Sequence, residues 1–233
     1  RLRRTPPGPL RRYLGQALPH PRIDYREQDY LAVDLETTGL DCRKDLILSV
    51  GYVTVRGVVI DLSSARHRVV RIDRSIPEAS AVIHQITDDQ SAQGRELEDV
   101  MEELLADLAG KVMIAHHASI EQGFLSHACK RLWGRELFTP RVIDTQVLAH
   151  RTFERRQIPF KASDLRLHSL GSRYNLPRYG AHNALSDALA AAELFLAQAA
   201  YRDNGKGLRL GDFLCRKSNR KRFPVERASA GQD

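Results

Sequence analysis

The apolar residues of this chain change their spacing partway along it, and the change limits which architectures are open to it. Tyr30–Leu35 is an apolar run suited to a buried strand. Leu46–Val55 alternates loosely and is rich in β-branched residues, which predicts a second strand. Arg56-Gly57 then reads as a tight turn into a third strand at Val58–Asp61, resuming near Arg68–Ile72. From Leu97 onward the period lengthens. Leu97, Met101, Leu104, Leu105 and Leu108 have helical spacing, and Gly110 follows as a stop. Val112–Ala115 predicts a short buried strand, Ser119–Leu132 a helix, and Val142-Ile143 a brief strand running into a helix that starts near Asp144. His168–Tyr174 is a short helix closed by Asn175 and Pro177, and Asn183–Tyr201 a long Ala/Leu-rich one. Antiparallel strands first, then strands alternating with helices, predict the α/β class, with a mixed sheet covered by helices.

The 233 residues suffice for one sizeable core with tails. The net charge of +7 is unevenly placed: residues 1–22 carry six arginines and no acid, residues 202–233 a net +5, and the stretch between them about −4. Pro6, Pro7, Pro9, Pro19 and Pro21 lie among the N-terminal arginines. Residues 1–29 therefore read as a basic arm, with a short helix near Leu10–Leu18, residues 30–201 as the catalytic body, and residues 202–233 as a basic tail able to touch phosphates. No apolar run approaches the ~20 residues of a membrane span. Cys42, Cys129 and Cys215 form no C-x-x-C pair, which argues against a disulfide framework and fits a cytoplasmic protein.

Three short stretches carry chemistry. In Val33-Asp34-Leu35-Glu36-Thr37-Thr38-Gly39-Leu40, Asp34 and Glu36 stand two apart on a strand, so both carboxylates point to one face. Carboxylates ending an apolar strand need a partner, and a hard divalent cation is the natural one. In Ala181–Ala190, Asn183 can cap the next helix, leaving His182 on a loop, suited to accept a proton, and Asp187 fixed in the first turns, suited to a metal. Glu121 begins a helix after a buried strand, where sites in α/β sheets commonly form. The pair His116-His117 lacks a third ligand at zinc spacing.

Taken in this order, Asp-x-Glu-Thr, a mid-chain helical acid and His-x-x-x-x-Asp resemble the DEDDh, or DnaQ-like, 3′–5′ exonucleases, a family that includes the proofreading subunit of the bacterial replicative polymerase. The likeness runs from about Tyr30 to Tyr201 and includes Ile83-His84-Gln85-Ile86-Thr87 and Ile143-Asp144-Thr145. His182 five before Asp187 marks the histidine form; Glu121 stands where the family usually has Asp, and His117 where it has Asn. The resemblance implies a ribonuclease H-like fold and two divalent cations, Mg²⁺ or Mn²⁺. It implies Asp34, Glu36, Glu121 and Asp187 as their ligands and His182 as the general base. Thr37, Thr38 and Leu40 would hold the terminal nucleotide. The substrate implied is a single-stranded 3′ end of DNA or RNA, and a DNA polymerase is a possible partner. An RNA-trimming enzyme, or a binding module of the same fold that has lost catalysis, are the alternative readings.

Overall fold

The computed structural model describes residues 5–215 except 74, 85, 140, 181, 204 and 206. Gln85 of the Ile83–Thr87 match, and most of the predicted basic tail, from 216 on, lie outside the described residues. Five strands form one sheet in the order β3-β2-β1-β4-β5. β1 (Asp29–Thr37) pairs antiparallel with β2 (Ile47–Arg56), and β2 with β3 (Val59–Val69); β4 (Val112–Ala115) and β5 (Val142–Asp144) run parallel to β1. β3 is one strand of 11 residues rather than the two pieces its sequence suggests. An irregularity between Tyr52 and Thr54 absorbs the change of register, and Ser64 Oγ there accepts from Thr54 N at 2.8 Å.

The alternation of β1 divides two cores. Leu31, Val33 and Leu35 face α4 (Leu97–Leu108) and α5 (Ser119–Trp133); Tyr30 and Ala32 face the long α8 (Ala184–Arg202). Asp34 and Glu36 continue the second parity, toward the side α8 covers. Gly51 on β2, opposite Asp34, permits that cover: a Cβ there would sit 2.1 Å from the Ala184 carbonyl carbon. α6 (Thr145–Arg155) and α7 (Leu167–Arg173) pack beside α8.

The N-terminal stretch is not an arm. α1 (Pro9–Gly15) buries Leu10 and Tyr13 against α4, and the Tyr13 hydroxyl donates to Phe138 O at 3.1 Å. Tyr25, together with Leu210 and Phe213 from the stretch read as a tail, seals the second core; the Tyr25 and Phe213 rings lie 5.2 Å apart. Prolines and arginines gave the segment a polar average, yet apolar residues at a few positions suffice to fasten it. Two short helices with too few apolar positions to announce themselves, α2 (Glu78–His84) and α3 (Asp88–Ala92), lie between β3 and α4. α3 is set by a capping box, Thr87 with Gln90.

Candidate active site

The carboxyl end of β1 meets the N-terminus of α8. Ligand atoms of Asp34, Glu36 and Asp187 lie within 4.8 Å of one another. Glu36 and Glu121 are buried, while Asp34 and Asp187 are partly open to the cleft. Asp34 is held well above the usual carboxylate range, first by burial and then by the charges of Glu121, Asp187 and Glu36. Burial raises Glu121 and Asp187 as well, with Glu36 adding to the latter. The four acids therefore come together. Glu36 Oε1, Glu121 Oε2 and Asp187 Oδ1 are buried without a hydrogen-bond partner in the protein. Buried polar atoms are normally satisfied. Unpaired carboxylate oxygens converging on one point fit divalent cations, whose preferred donors they are.

Each acid is positioned by its element. Asn183 caps α8, its Oδ1 accepting from Leu185 N and Ser186 N at 3.1 and 3.2 Å, and this sets Asp187 in the first turn. His182 is exposed on the preceding loop with φ +65°, and its backbone N donates to Asp187 Oδ2 at 3.0 Å. Its imidazole lies 6.1 Å, ring to ring, from that of His84. Asp144 fastens the Glu121 helix. Its carboxylate accepts from His117 N and Ala118 N, at the entry to α5, and from Gln146 N and Val147 N in α6. His116 beneath it shares a 2.8 Å hydrogen bond with Thr145 Oγ1, and burial pushes its imidazole down to about 3, leaving it neutral.

Thr37 and Thr38 shape the turn after β1. Thr37 Oγ1 donates to Gly39 O at 2.6 Å; Thr38 Oγ1 accepts from Leu46 N at 2.9 Å and lies 3.3 Å from Asp45 Oδ1. Both hydroxyls are engaged within the protein. Leu40 stands 56% exposed at the rim, and Val82 and Ile83 of α2 are exposed too. Ser80 Oγ ties α2 to this turn by donating to Thr38 O at 3.0 Å.

Sequence reasoning gave no role to three side chains at the site. His84 Nδ1 lies 2.5 Å from Glu36 Oε2 without meeting hydrogen-bond directions, a contact between polar groups rather than a formed bond. His168 Nε2 lies 3.7 Å from Asp187 Oδ1. Asp144 is the third. The matches around His84 and Asp144 were visible as motifs; His168 carried no signal, since α7 reads only as an amphipathic turn.

A mixed sheet of this order, with acids clustered at the carboxyl end of its first strand, is the ribonuclease H-like fold of nucleases. The exonuclease family model RNase_T matches residues 31–195. The PolC-type DNA polymerase III of Thermotoga petrophila is 30% identical over 173 residues, 74% of this chain but 12% of that protein. The DNA polymerase III subunit epsilon of Treponema pallidum is 28% identical over 180 residues, 76% of this chain and 80% of that one. The nuclease domain of 3′hExo, a DEDDh family member bound to rAMP, superimposes with a TM-score of 0.63 at 14% identity, covering 77% of this chain and 96% of that domain. The chain belongs to the exonuclease family, and within it to the metal-dependent DEDDh type. No helix among the described residues is long and apolar enough to cross a membrane.

Proposed function

We propose that this protein removes nucleotides one at a time from the 3′ end of DNA by two-cation hydrolysis, releasing nucleoside 5′-monophosphates. The observation that carries the reading is the convergence of Asp34, Glu36 and Asp187 within 4.8 Å, with their oxygens unpaired inside the protein. Asp34, Glu36 and Asp187 would hold one divalent cation, Mg²⁺ or Mn²⁺; Asp34 with Glu121 would hold the second. When bound, the cations supply Lewis acidity to the scissile phosphate and to its attacking water. His182 takes a proton from that water, and its place on an exposed loop lets the imidazole reach the cleft. As the new P–O bond forms, the P–O3′ bond breaks and the 3′ oxygen regains a proton from solvent. The Thr37–Leu40 turn seats the terminal nucleotide. Since both threonine hydroxyls are committed to the turn, the contacts it offers are backbone groups and the exposed Leu40 side chain. The DNA preference rests on relatives that are DNA polymerase III chains, one of them a subunit epsilon, and the same likeness supports a polymerase as partner.

The test is digestion of 5′-labelled single-stranded DNA, duplex DNA and RNA with Mg²⁺ or Mn²⁺. A ladder shortening from the 3′ end, fastest on DNA and abolished by EDTA, is expected. Undiminished cleavage in excess EDTA would sink the two-cation mechanism, and faster cleavage of RNA would overturn the substrate assignment.

A further inference from the structure

A cavity of about 790 Å³ opens behind the acid cleft. Glu36, Ser49 and His67 lie along its floor, α3 bounds it on one side, and His182, Asn183 and Ser186 bound it on the other. Ser49 sits opposite Glu36 across the β1–β2 pair, and His67 opposite Gly51 across β2–β3. The alternation of strands therefore turns all three side chains to one face. Their polar atoms share a second property. Glu36 Oε1, Ser49 Oγ and His67 Nε2 are buried and have no hydrogen-bond partner in the protein. Ser49 is fully buried at 0% exposure, and Glu36 is 5% exposed.

Three unpaired polar atoms lining one cavity call for a ligand that can donate and accept by turns. An anion fits poorly. The arginines on the wall, Arg68 and Arg95, are both already held by Glu103, the former at 2.7 Å, and Glu36 brings a carboxylate into the space. Water fits: it needs two to four polar partners and far less room than this cavity provides. The location matters because each round of hydrolysis consumes one water, and a strand lying in the cleft covers the front approach to the acids.

We infer that the cavity is a water channel, in which Ser49 and His67 hold a file of waters that feeds the attacking molecule to the side of the site formed by Glu36 and His182. The inference rests on the hydrolytic reading above. Ser49 and His67 are positioning residues: they act through the waters they hold. One water enters per bond cleaved, its oxygen joins phosphorus, and its proton passes to His182 and out along the file.

The experiment compares Ser49→Val with Ser49→Thr. The two side chains have the same shape and add the same bulk, but only threonine keeps a hydroxyl. Single-turnover cleavage of a saturating oligonucleotide should fall about tenfold in Ser49→Val, the order of effect for one lost positioning hydrogen bond. Ser49→Thr should recover the rate, KM should stay put in both, and the Ser49→Val protein should melt no lower than its parent, since it removes an unpaired hydroxyl. Equal rates in the two variants, or a change confined to KM, would overturn the channel. So would a high-resolution crystal structure in which no water bonds to Ser49 Oγ and His67 Nε2. If the unmodified protein cleaves no nucleic acid, the exonuclease reading itself fails; if it cleaves and the two variants do not differ, only the channel does.

Discussion

Asp34→Asn should make the metal-free protein more stable and the metal-loaded protein less so. The ligand oxygens of Asp34, Glu36 and Asp187 lie within 4.8 Å. At that separation and an effective dielectric of 20, each fully ionised pair repels by about 3.5 kcal/mol. Asp34 takes part in two of the three pairs, so that repulsion sets the ceiling. A crowded carboxyl group takes up a proton rather than bear all of it, and a net gain of about 2 kcal/mol, inside the usual span for one substitution, is expected in EDTA at pH 7.5. For a chain of this size that is a melting temperature about 4–8 °C higher. The sign follows from linkage. Asp34 is raised in the folded state by burial and by its acidic neighbours, so the folded protein binds the extra proton. Stability is then lost as pH rises from the ordinary carboxylate value of about 3.9 through the raised one. The advantage of Asp34→Asn should accordingly shrink as the pH is lowered toward 5. Added Mn²⁺ at a hundredfold excess over Kd would stabilise the parent by about 2.7 kcal/mol and the variant far less, which reverses the order of melting. Calorimetry in EDTA and in Mn²⁺ measures both. If Asp34→Asn melts below its parent in EDTA, or gains as much from Mn²⁺, the cluster is not a repulsive cation site and the reasoning is wrong.

Four further outcomes are expected. His182→Ala should slow single-turnover cleavage by roughly 10²–10⁴-fold with oligonucleotide binding largely spared; near-parental turnover would return His182 to a surface role. Glu121→Gln should lose far more activity than Glu121→Asp, as read by single-turnover rates with Mg²⁺ and with Mn²⁺, because Glu121 is buried where charge counts. Gly51→Ala should cost about 1–3 kcal/mol by urea titration and lower activity as well, since its Cβ would push Ala184, and with it Asp187, away from β1. Leu10→Ala should cost about 2–5 kcal/mol, the range for a buried leucine, whereas an unpacked arm would register almost nothing.

The sheet and most helices were legible because period survives in sequence. β1 is buried on both faces and reads as a continuous run; α4 buries one stripe and reads as one. The four acids were legible because strand and helix geometry fix where a residue two or five positions away must point. The seal made by Leu10, Tyr13, Tyr25 and Phe213 was not, since each apolar residue sits alone among charges and gains its meaning from a surface that the rest of the chain builds. α2 is a single short amphipathic turn, whose place is set by a hydrogen bond to Thr38 O. His168 reaches Asp187 across two elements, 19 positions away in the chain, and no local pattern encodes that meeting.

The pairing of Asp24 with Arg209, flanked by Tyr25 N donating to Leu208 O and Leu210 N donating to Ile23 O, has a consequence for the order in which the molecule assembles. Those partners are 185 positions apart, so the clasp waits on nearly the whole described chain. A chain emerging from a ribosome can build β1 to β3 early, but Asp187 arrives with α8, and the aromatic plug over that helix arrives later still. Until then the nascent protein holds Asp34 and Glu36 without their third acid, and has no means of cutting nucleic acid beside its own site of synthesis. A fragment cut to the span of family likeness, 31–195, would include Asp187 but leave out α1, Tyr25 and Phe213. It should therefore behave as a catalytic sheet with its second core unsealed, prone to stick to other copies through Tyr30 and Phe195.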